Sequence, residues 1–128
     1  MGSAGHPHAH LQRALERGLK MPALAAAAQL SGTVPTEEAL LLCLLLLDDP
    51  RFSKAAAKWH ARFVIERRLA LAESQMLLGL LHGLTGEGRH GTAVALAAVV
   101  ARYGMKMAAA KLEQLAVGRW PYQAPAAA

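Results

Sequence analysis

The chain has 128 residues, one of them a cysteine, and it carries a formal net charge of +5. This length suits a single domain that buries its core without a metal, and a lone cysteine excludes an internal disulfide. Ala and Leu dominate while Val, Ile and aromatic residues are few, so we expect an all-α, compact single-domain bundle of four to six helices.

The first segment, residues 1–9, combines glycine, serine and proline with alternating histidines and is predicted to be a disordered N-terminal tail. Histidine-rich tails can bind metal, but ordering a mobile segment costs entropy, so we assign no metal ligand there. Residues 10–117 are then expected to form the helical domain. Residues 118–128 are expected to form an irregular C-terminal tail that Trp120 holds against the domain.

Leucines repeat at four-residue spacing over residues 10–19 and predict a short surface helix, and a second helix is expected over residues 22–30. Next come nine consecutive apolar residues, 39–47, within a helix that we expect to span residues 36–47. A helix that is apolar on every side must be enclosed, and nine residues are too few for a membrane span, which takes about 20. We therefore place this helix at the centre of a soluble bundle, with Cys43 as a small core residue in a reducing, cytoplasmic compartment.

Asp48-Asp49-Pro50 closes the leucine-rich helix and starts the next one, with Asp49 as the cap and Pro50 in the first turn, where proline is tolerated. An acid–base role for the two carboxylates is disfavoured, because such a pair needs opposed environments for which nothing argues. The chain then has no glycine before Gly79, so the sequence predicts a long central helix over residues 50–82, packed on the leucine-rich helix.

Four basic residues on this long helix, spaced three, four and four apart, form a stripe beside its apolar face. They are Arg51, Lys54, Lys58 and Arg62. Residues 50–72 hold six basic residues and one acid, whereas basic and acidic residues cancel in the rest of the chain. A row of positive charge attracts polyanions and gains from counterion release, so these four residues are the polyanion-binding candidates. The alternative is a solvated face whose long side chains cover apolar neighbours.

A glycine-rich loop follows, and its sequence Gly86-Glu-Gly88-Arg-His-Gly91 matches the G-x-G-x-x-G pattern that receives a pyrophosphate at the start of a helix. That pattern needs a preceding strand, and the residues before it are helical in composition, so no cofactor is expected. Glu87 and His90 have the E-x-x-H spacing of di-iron sites, but they lie in this loop without matching carboxylates, and His60 and His82 stand alone. No nucleophile, base and orienting group fall together. We therefore expect neither enzymatic activity nor a small-molecule substrate.

The last helical region extends to about residue 117, and Gly104 is expected to divide it into two helices. A glycine between two helices is also typical of helix-turn-helix DNA-binding proteins, in which Lys106 and Lys111 would contact phosphates. These lysines are the weaker DNA-contact candidates, because the predicted exposed face offers no side chain suited to direct base readout.

The sequence therefore favours a non-enzymatic helical interaction module, a basic nucleic-acid-associated subunit of a larger assembly. Two alternatives stay open. One is a helix-turn-helix-type DNA-binding protein. The other is a homo-oligomerising or partner-helix-binding structural protein without nucleic-acid contact.

Overall fold

In the computed structural model of the chain, residues 6–30 and 32–122 are described, and they form seven α-helices and no strand. The helices are α1 (His6–Arg17), α2 (Lys20–Ala28), α3 (Thr36–Leu45), α4 (Phe52–Arg67), α5 (Leu71–Gly83), α6 (Arg89–Arg102) and α7 (Lys106–Ala116). The all-α prediction is confirmed, whereas the predicted count of four to six helices is too low. No helix in the described part of the chain is both long and apolar enough to cross a membrane.

Helix α3 carries the run of leucines and packs against α1, α2, α4 and α7. Leu40, Leu41 and Leu44 are fully buried, so the predicted enclosure of this helix is confirmed. Each buried leucine side chain contributes about 1.5–3 kcal/mol to folding. Glu37, in the first turn of α3, also accepts the backbone N–H of Ala108 at 2.9 Å and so satisfies a donor in the first turn of α7.

The predicted long helix over residues 50–82 is wrong, because α4 ends at Arg67 and α5 begins after three further residues. Arg68 adopts a left-handed backbone conformation with a φ of 52°, and the Leu69 N–H donates to the Val64 carbonyl to end the helix. Glycine usually occupies such a position, so the sequence carried no signal for this break. The turn allows α5 to pack against α6 as well as α4.

Helix α1 begins at His6, so the predicted disordered tail is wrong in its last four residues. Pro7 lies in the first turn, where the missing backbone N–H costs little. His8 Nε2 is 3.0 Å from Glu38 Oε1 of α3, a contact that ties the start of α1 to the core. Residues 1–5 of the predicted tail lie outside the described residues.

Residues 118–122 of the predicted irregular C-terminal tail are described, and we call them the C-terminal strap. Residues 123–128 of that tail lie outside the described residues. Trp120 is buried and its indole Nε1 donates to the Leu15 carbonyl at 2.7 Å, so its predicted anchoring role is confirmed. The Tyr122 N–H donates to the Gly18 carbonyl at 3.1 Å. A Cβ atom at Gly18 would lie 2.5 Å from the backbone of the strap, so this close approach requires glycine.

Candidate functional site

Helix α4 carries the predicted basic stripe, and the buried face of the helix fixes the direction of its exposed residues. Four residues at helical spacing are at most 3% exposed and face the core: Phe52, Ala56, Trp59 and Phe63. Trp59 stacks on Phe63 with ring centroids 4.9 Å apart, and its indole Nε1 donates to the Thr36 carbonyl at 2.9 Å. Because this face is held in the core, Lys54 and Lys58, which lie outside it on the same helix, are exposed to solvent.

Lys54 and Lys58 are the accessible cations of the stripe. Both are exposed, and neither forms an ion pair in the described part of the chain. Residues four apart on a helix are neighbours on its surface, about 5–6 Å between Cβ atoms. The two ammonium groups therefore present adjacent positive charges to an external partner.

The other two members of the stripe already contact carboxylates. Arg51 precedes α4, and its guanidinium donates to the two oxygens of Asp49 at 2.9 and 2.8 Å. The backbone N–H of Arg51 donates to the same carboxylate, so Asp49 does cap a backbone donor, although α4 itself begins only at Phe52. The hydrogen bonds from Arg51 hold the pKa of Asp49 well below its usual value and raise the pKa of Arg51.

Arg62 is paired within α4. Its Nε donates to Glu66 Oε2 at 2.8 Å, and the Thr36 hydroxyl of α3 donates to the other oxygen of that carboxylate. The hydrogen bonds from Thr36 and from Arg62 lower the pKa of Glu66. The stripe thus consists of two free lysines flanked by two arginines whose charges are partly neutralised.

A groove of about 200 Å³ lies between α3 and α4 beside the stripe. It is lined by four small or apolar residues and two basic ones: Ala39, Cys43, Ala55, Trp59, Lys58 and Arg62. The Cys43 thiol donates to the Ala55 carbonyl at 3.4 Å, and burial raises its pKa to about 12. The thiol is therefore protonated at neutral pH, and the groove offers apolar surface rather than a thiolate nucleophile.

The two weaker DNA-contact candidates do not lie on one exposed face. Lys106 is exposed at the start of α7. Lys111 is only 5% exposed and its Nζ lies 3.2 Å from Glu16 Oε2 of α1, so the expected exposure of this lysine is wrong. The cause is that α7 packs against both α6 and α3, which leaves Ala110 and Glu113 exposed in its middle. An exposed glutamate on this face disfavours phosphate contact.

Sequence reasoning missed two features of the surface. Arg68 is exposed at the end of α4 and adds a third accessible cation, which the predicted continuous helix did not single out. A cavity of about 400 Å³ beneath the C-terminal strap was also not predicted, because its lining comes from segments that are far apart in the sequence.

A serine–histidine pair joins α4 to α5. His60 Nε2 is 2.8 Å from the Ser74 carbonyl and 3.3 Å from Ser74 Oγ. Because a carbonyl only accepts, this ring nitrogen carries the proton and cannot also take one from the hydroxyl. The pair therefore lacks the arrangement of a nucleophile with its base. The glycine-rich loop follows helix α5 rather than a strand, and the described residues contain no group of three or more metal-ligating side chains.

On and beside α4, an external partner can reach two lysines, Arg68 and an adjoining apolar groove. No protein-family model, curated protein or solved structure matches this chain.

Proposed function

We propose that this protein is a non-enzymatic helical interaction module that binds nucleic acid along the outer face of α4, as a subunit of a larger assembly. The observation that carries the proposal is the pair Lys54 and Lys58, which are exposed, one helical turn apart and without an acidic partner in the described chain. Arg68 adds positive charge at the end of the same helix.

The distribution of charge favours a polyanion over a single anionic group. Residues 50–72 hold six basic residues and one acid, and Asp49 adds one further carboxylate beside them. From Lys54 to Arg62 the helix rises about 12 Å, a length over which duplex DNA carries about seven charges. Several phosphates can therefore approach α4 at once, and each contact releases condensed counterions.

The expected mode of binding has little sequence preference. Lysine ammonium groups are point charges that contact phosphate oxygens, and such contacts position a protein without reading bases. Arg51 and Arg62, which would be better suited to guanine than the lysines, are engaged at Asp49 and Glu66. We therefore expect similar affinities for duplexes of different sequence, and a strong dependence on salt.

The groove between α3 and α4 favours a second candidate, a partner-helix-binding protein without nucleic-acid contact. An amphipathic helix could place apolar side chains in the groove and acidic side chains against Lys58 and Arg62. The helix-turn-helix alternative has less support, because Lys111 is buried against Glu16.

The experiment is fluorescence anisotropy of a labelled duplex and a labelled single strand, titrated with the full chain at about 50 and 200 mM salt. Wild-type protein should bind at the lower salt concentration and lose affinity at the higher one. The double variant Lys54→Glu/Lys58→Glu should bind at least tenfold more weakly. It should also reduce the slope of log affinity against log salt by about 2, because two fewer phosphates are neutralised in its complex.

A matched control separates the position of the charges from their number. Arg13→Glu/Arg17→Glu changes the net charge equally on exposed positions of α1 and should retain most of the affinity. The proposal is wrong if wild-type protein does not bind at low salt, or if the control weakens binding as much as the α4 variant does. Binding of an acidic amphipathic peptide without binding of nucleic acid would favour the partner-helix function, and loss of DNA binding in Lys106→Glu alone would favour the helix-turn-helix.

A further inference from the structure

A second concave feature, outside α4, is the cavity of about 400 Å³ beneath the C-terminal strap, which we call the strap pocket. It lies where the α1–α2 corner, the end of α3, the start of α6, the end of α7 and the strap meet, and its apolar lining includes Leu19, Pro22, Leu44, Leu47, Leu115 and Pro121. Ligand sites in proteins are commonly mostly apolar cavities of about 300–1,000 Å³ with few polar groups. The strap pocket has this size and composition.

Two large apolar side chains of the lining remain accessible to solvent. Met21 is 67% exposed and Tyr122 is 58% exposed, whereas Leu44 and Leu47 deeper in the wall are at most 8% exposed. Exposed apolar side chains around a concave apolar wall are typical of a surface that binds a hydrophobic group. A ligand with an apolar body would cover them and the leucines together.

The charged groups of the strap pocket favour an anion at one side of it. Arg89 Nε donates to the Leu84 carbonyl at 2.7 Å, which fixes the guanidinium, and Nη2 donates to Asp48 Oδ1 at 3.1 Å. Three of its five N–H groups have no acceptor in the described chain. The Asp48 side chain is 85% exposed, so its ion pair with Arg89 is weak and an incoming anion can replace it.

Lys20 supplies a second cation to the lining. Its Nζ is 3.5 Å from Asp49, a carboxylate that already accepts shorter bonds, of 2.8 and 2.9 Å, from Arg51. Lys20 is therefore loosely held. Lys20 and Arg89 contribute two positive charges to the lining and Asp48 contributes one negative charge. The lining therefore has a net positive charge next to its aliphatic wall.

We propose that the strap pocket binds a small amphipathic anion, with an aliphatic chain against the leucines and a carboxylate or phosphate group on Arg89. The sequence did not predict this ligand, because no motif in the chain indicates a small-molecule substrate. The reason is that the pocket is assembled from separated segments and leaves no local pattern in the chain.

The test is a calorimetric titration of the full chain with decanoate, decyl phosphate, decanol and decyltrimethylammonium, which share one chain and differ in the head group. The two anions should bind saturably at one site, and decanol should bind about tenfold more weakly, the loss expected for one charge-assisted hydrogen bond at a partly exposed site. The cation should bind more weakly still. Equal binding of all four probes, or no saturable binding of the anions, would overturn the proposal.

Variants locate the binding in the strap pocket. Arg89→Gln should weaken decanoate binding about tenfold, and Leu19→Trp, which fills the pocket, should abolish it. Because Arg89 also holds the Leu84 carbonyl, a second variant is needed that leaves the fold untouched. Asp48→Asn removes the carboxylate that competes for Arg89. It should increase the affinity for decanoate about threefold and leave the affinity for decanol unchanged.

An unchanged decanoate affinity in Asp48→Asn would place the anion elsewhere and refute the role of Arg89. The Lys54→Glu/Lys58→Glu variant should bind decanoate like wild type. Failure of this proposal is thereby distinguishable from failure of nucleic-acid binding along α4.

Discussion

Two of the tightly joined helix pairs in the described chain, α4 with α5 and α6 with α7, have turns of the same length that end the first helix with the same hydrogen bond. In each turn three residues separate the helices, and one of them is left-handed, Arg68 with a φ of 52° and Gly104 with a φ of 82°. In each turn, the residue after the left-handed one donates its N–H to the carbonyl five residues earlier, which is the hydrogen bond of a Schellman motif. These bonds run from Leu69 to Val64 and from Met105 to Val100, both at 3.1 Å. The backbone solution is therefore shared although the residue that makes it possible differs.

The difference lies in the cost of the left-handed conformation. Glycine at 104 adopts it without steric penalty, whereas for Arg68 the penalty is about 1–2 kcal/mol. Contacts around the turn offset this cost, because the Arg67 guanidinium lies 5.7 Å from the centroid of the Phe63 ring and donates to the Tyr103 carbonyl at 3.1 Å. A glycine thus marks a turn in the sequence, but a turn held by tertiary contacts can form without one.

Gly104→Ala should destabilise the protein. A Cβ atom there would meet nothing within 4 Å, so the substitution tests the backbone conformation alone. We expect the free energy of unfolding to fall by about 1 kcal/mol, the left-handed penalty less the gain from a stiffer unfolded chain. Chemical denaturation measures it. Gly91→Ala is the matched control, since Gly91 lies inside α6 with open space around it and the substitution should stabilise by about 0.5–1 kcal/mol. Equal changes at the two sites would contradict the assigned turn.

The same contrast explains which parts of the fold the sequence could predict. The apolar run 39–47 and Gly104 are local signals, and each correctly predicted the structure around it. The break at Arg68 has no local signal, because contacts with Phe63 and Tyr103 replace the usual glycine. Local patterns predict structure where the cause is local.

In the candidate site, too, the features with a local cause could be predicted and those that depend on tertiary packing could not. Helical spacing correctly separated the exposed Lys54 and Lys58 from the buried face of α4. Lys111 was misplaced, because its burial depends on Glu16 of α1 and on the packing of α7. The strap pocket could not be predicted at all, since its lining converges only after the whole chain has folded.

Tyr103 lies in the turn between α6 and α7 and contacts both α4 and α5. Its hydroxyl donates to Glu73 of α5 at 2.7 Å, while its ring meets Phe63 edge-on with centroids 5.2 Å apart. Tyr103→Phe keeps the ring and removes the hydroxyl, so we expect a loss of about 0.5–1.5 kcal/mol in the free energy of unfolding at neutral pH. Glu73→Gln should give a smaller loss, because an amide oxygen still accepts the bond.

The dependence of this loss on pH has a definite sign. The hydrogen bond to Glu73 raises the pKa of Tyr103 above its ordinary value of 10.0, which means that the fold favours the neutral phenol. The stabilisation is therefore complete below about pH 10 and disappears as the pH rises through the raised pKa. The stability difference between wild type and Tyr103→Phe should be constant near neutral pH and shrink above about pH 10. A difference that grows at high pH would contradict the hydrogen bond.

Arg68→Gly should give the smallest effect, and one of opposite sign. Glycine removes the left-handed penalty of about 1–2 kcal/mol. It also makes the unfolded chain more flexible, which raises the entropic cost of folding by about 0.5–1 kcal/mol, so we expect a net stabilisation of about 0.5 kcal/mol. Arg67→Gly is the adjacent control with the same exchange of residues. Arg67 is helical and contacts Phe63 and Tyr103, so glycine there should destabilise by about 1–2 kcal/mol. If both variants destabilised the protein, α4 would continue through Arg68 in solution, and the two helix pairs would not share a turn.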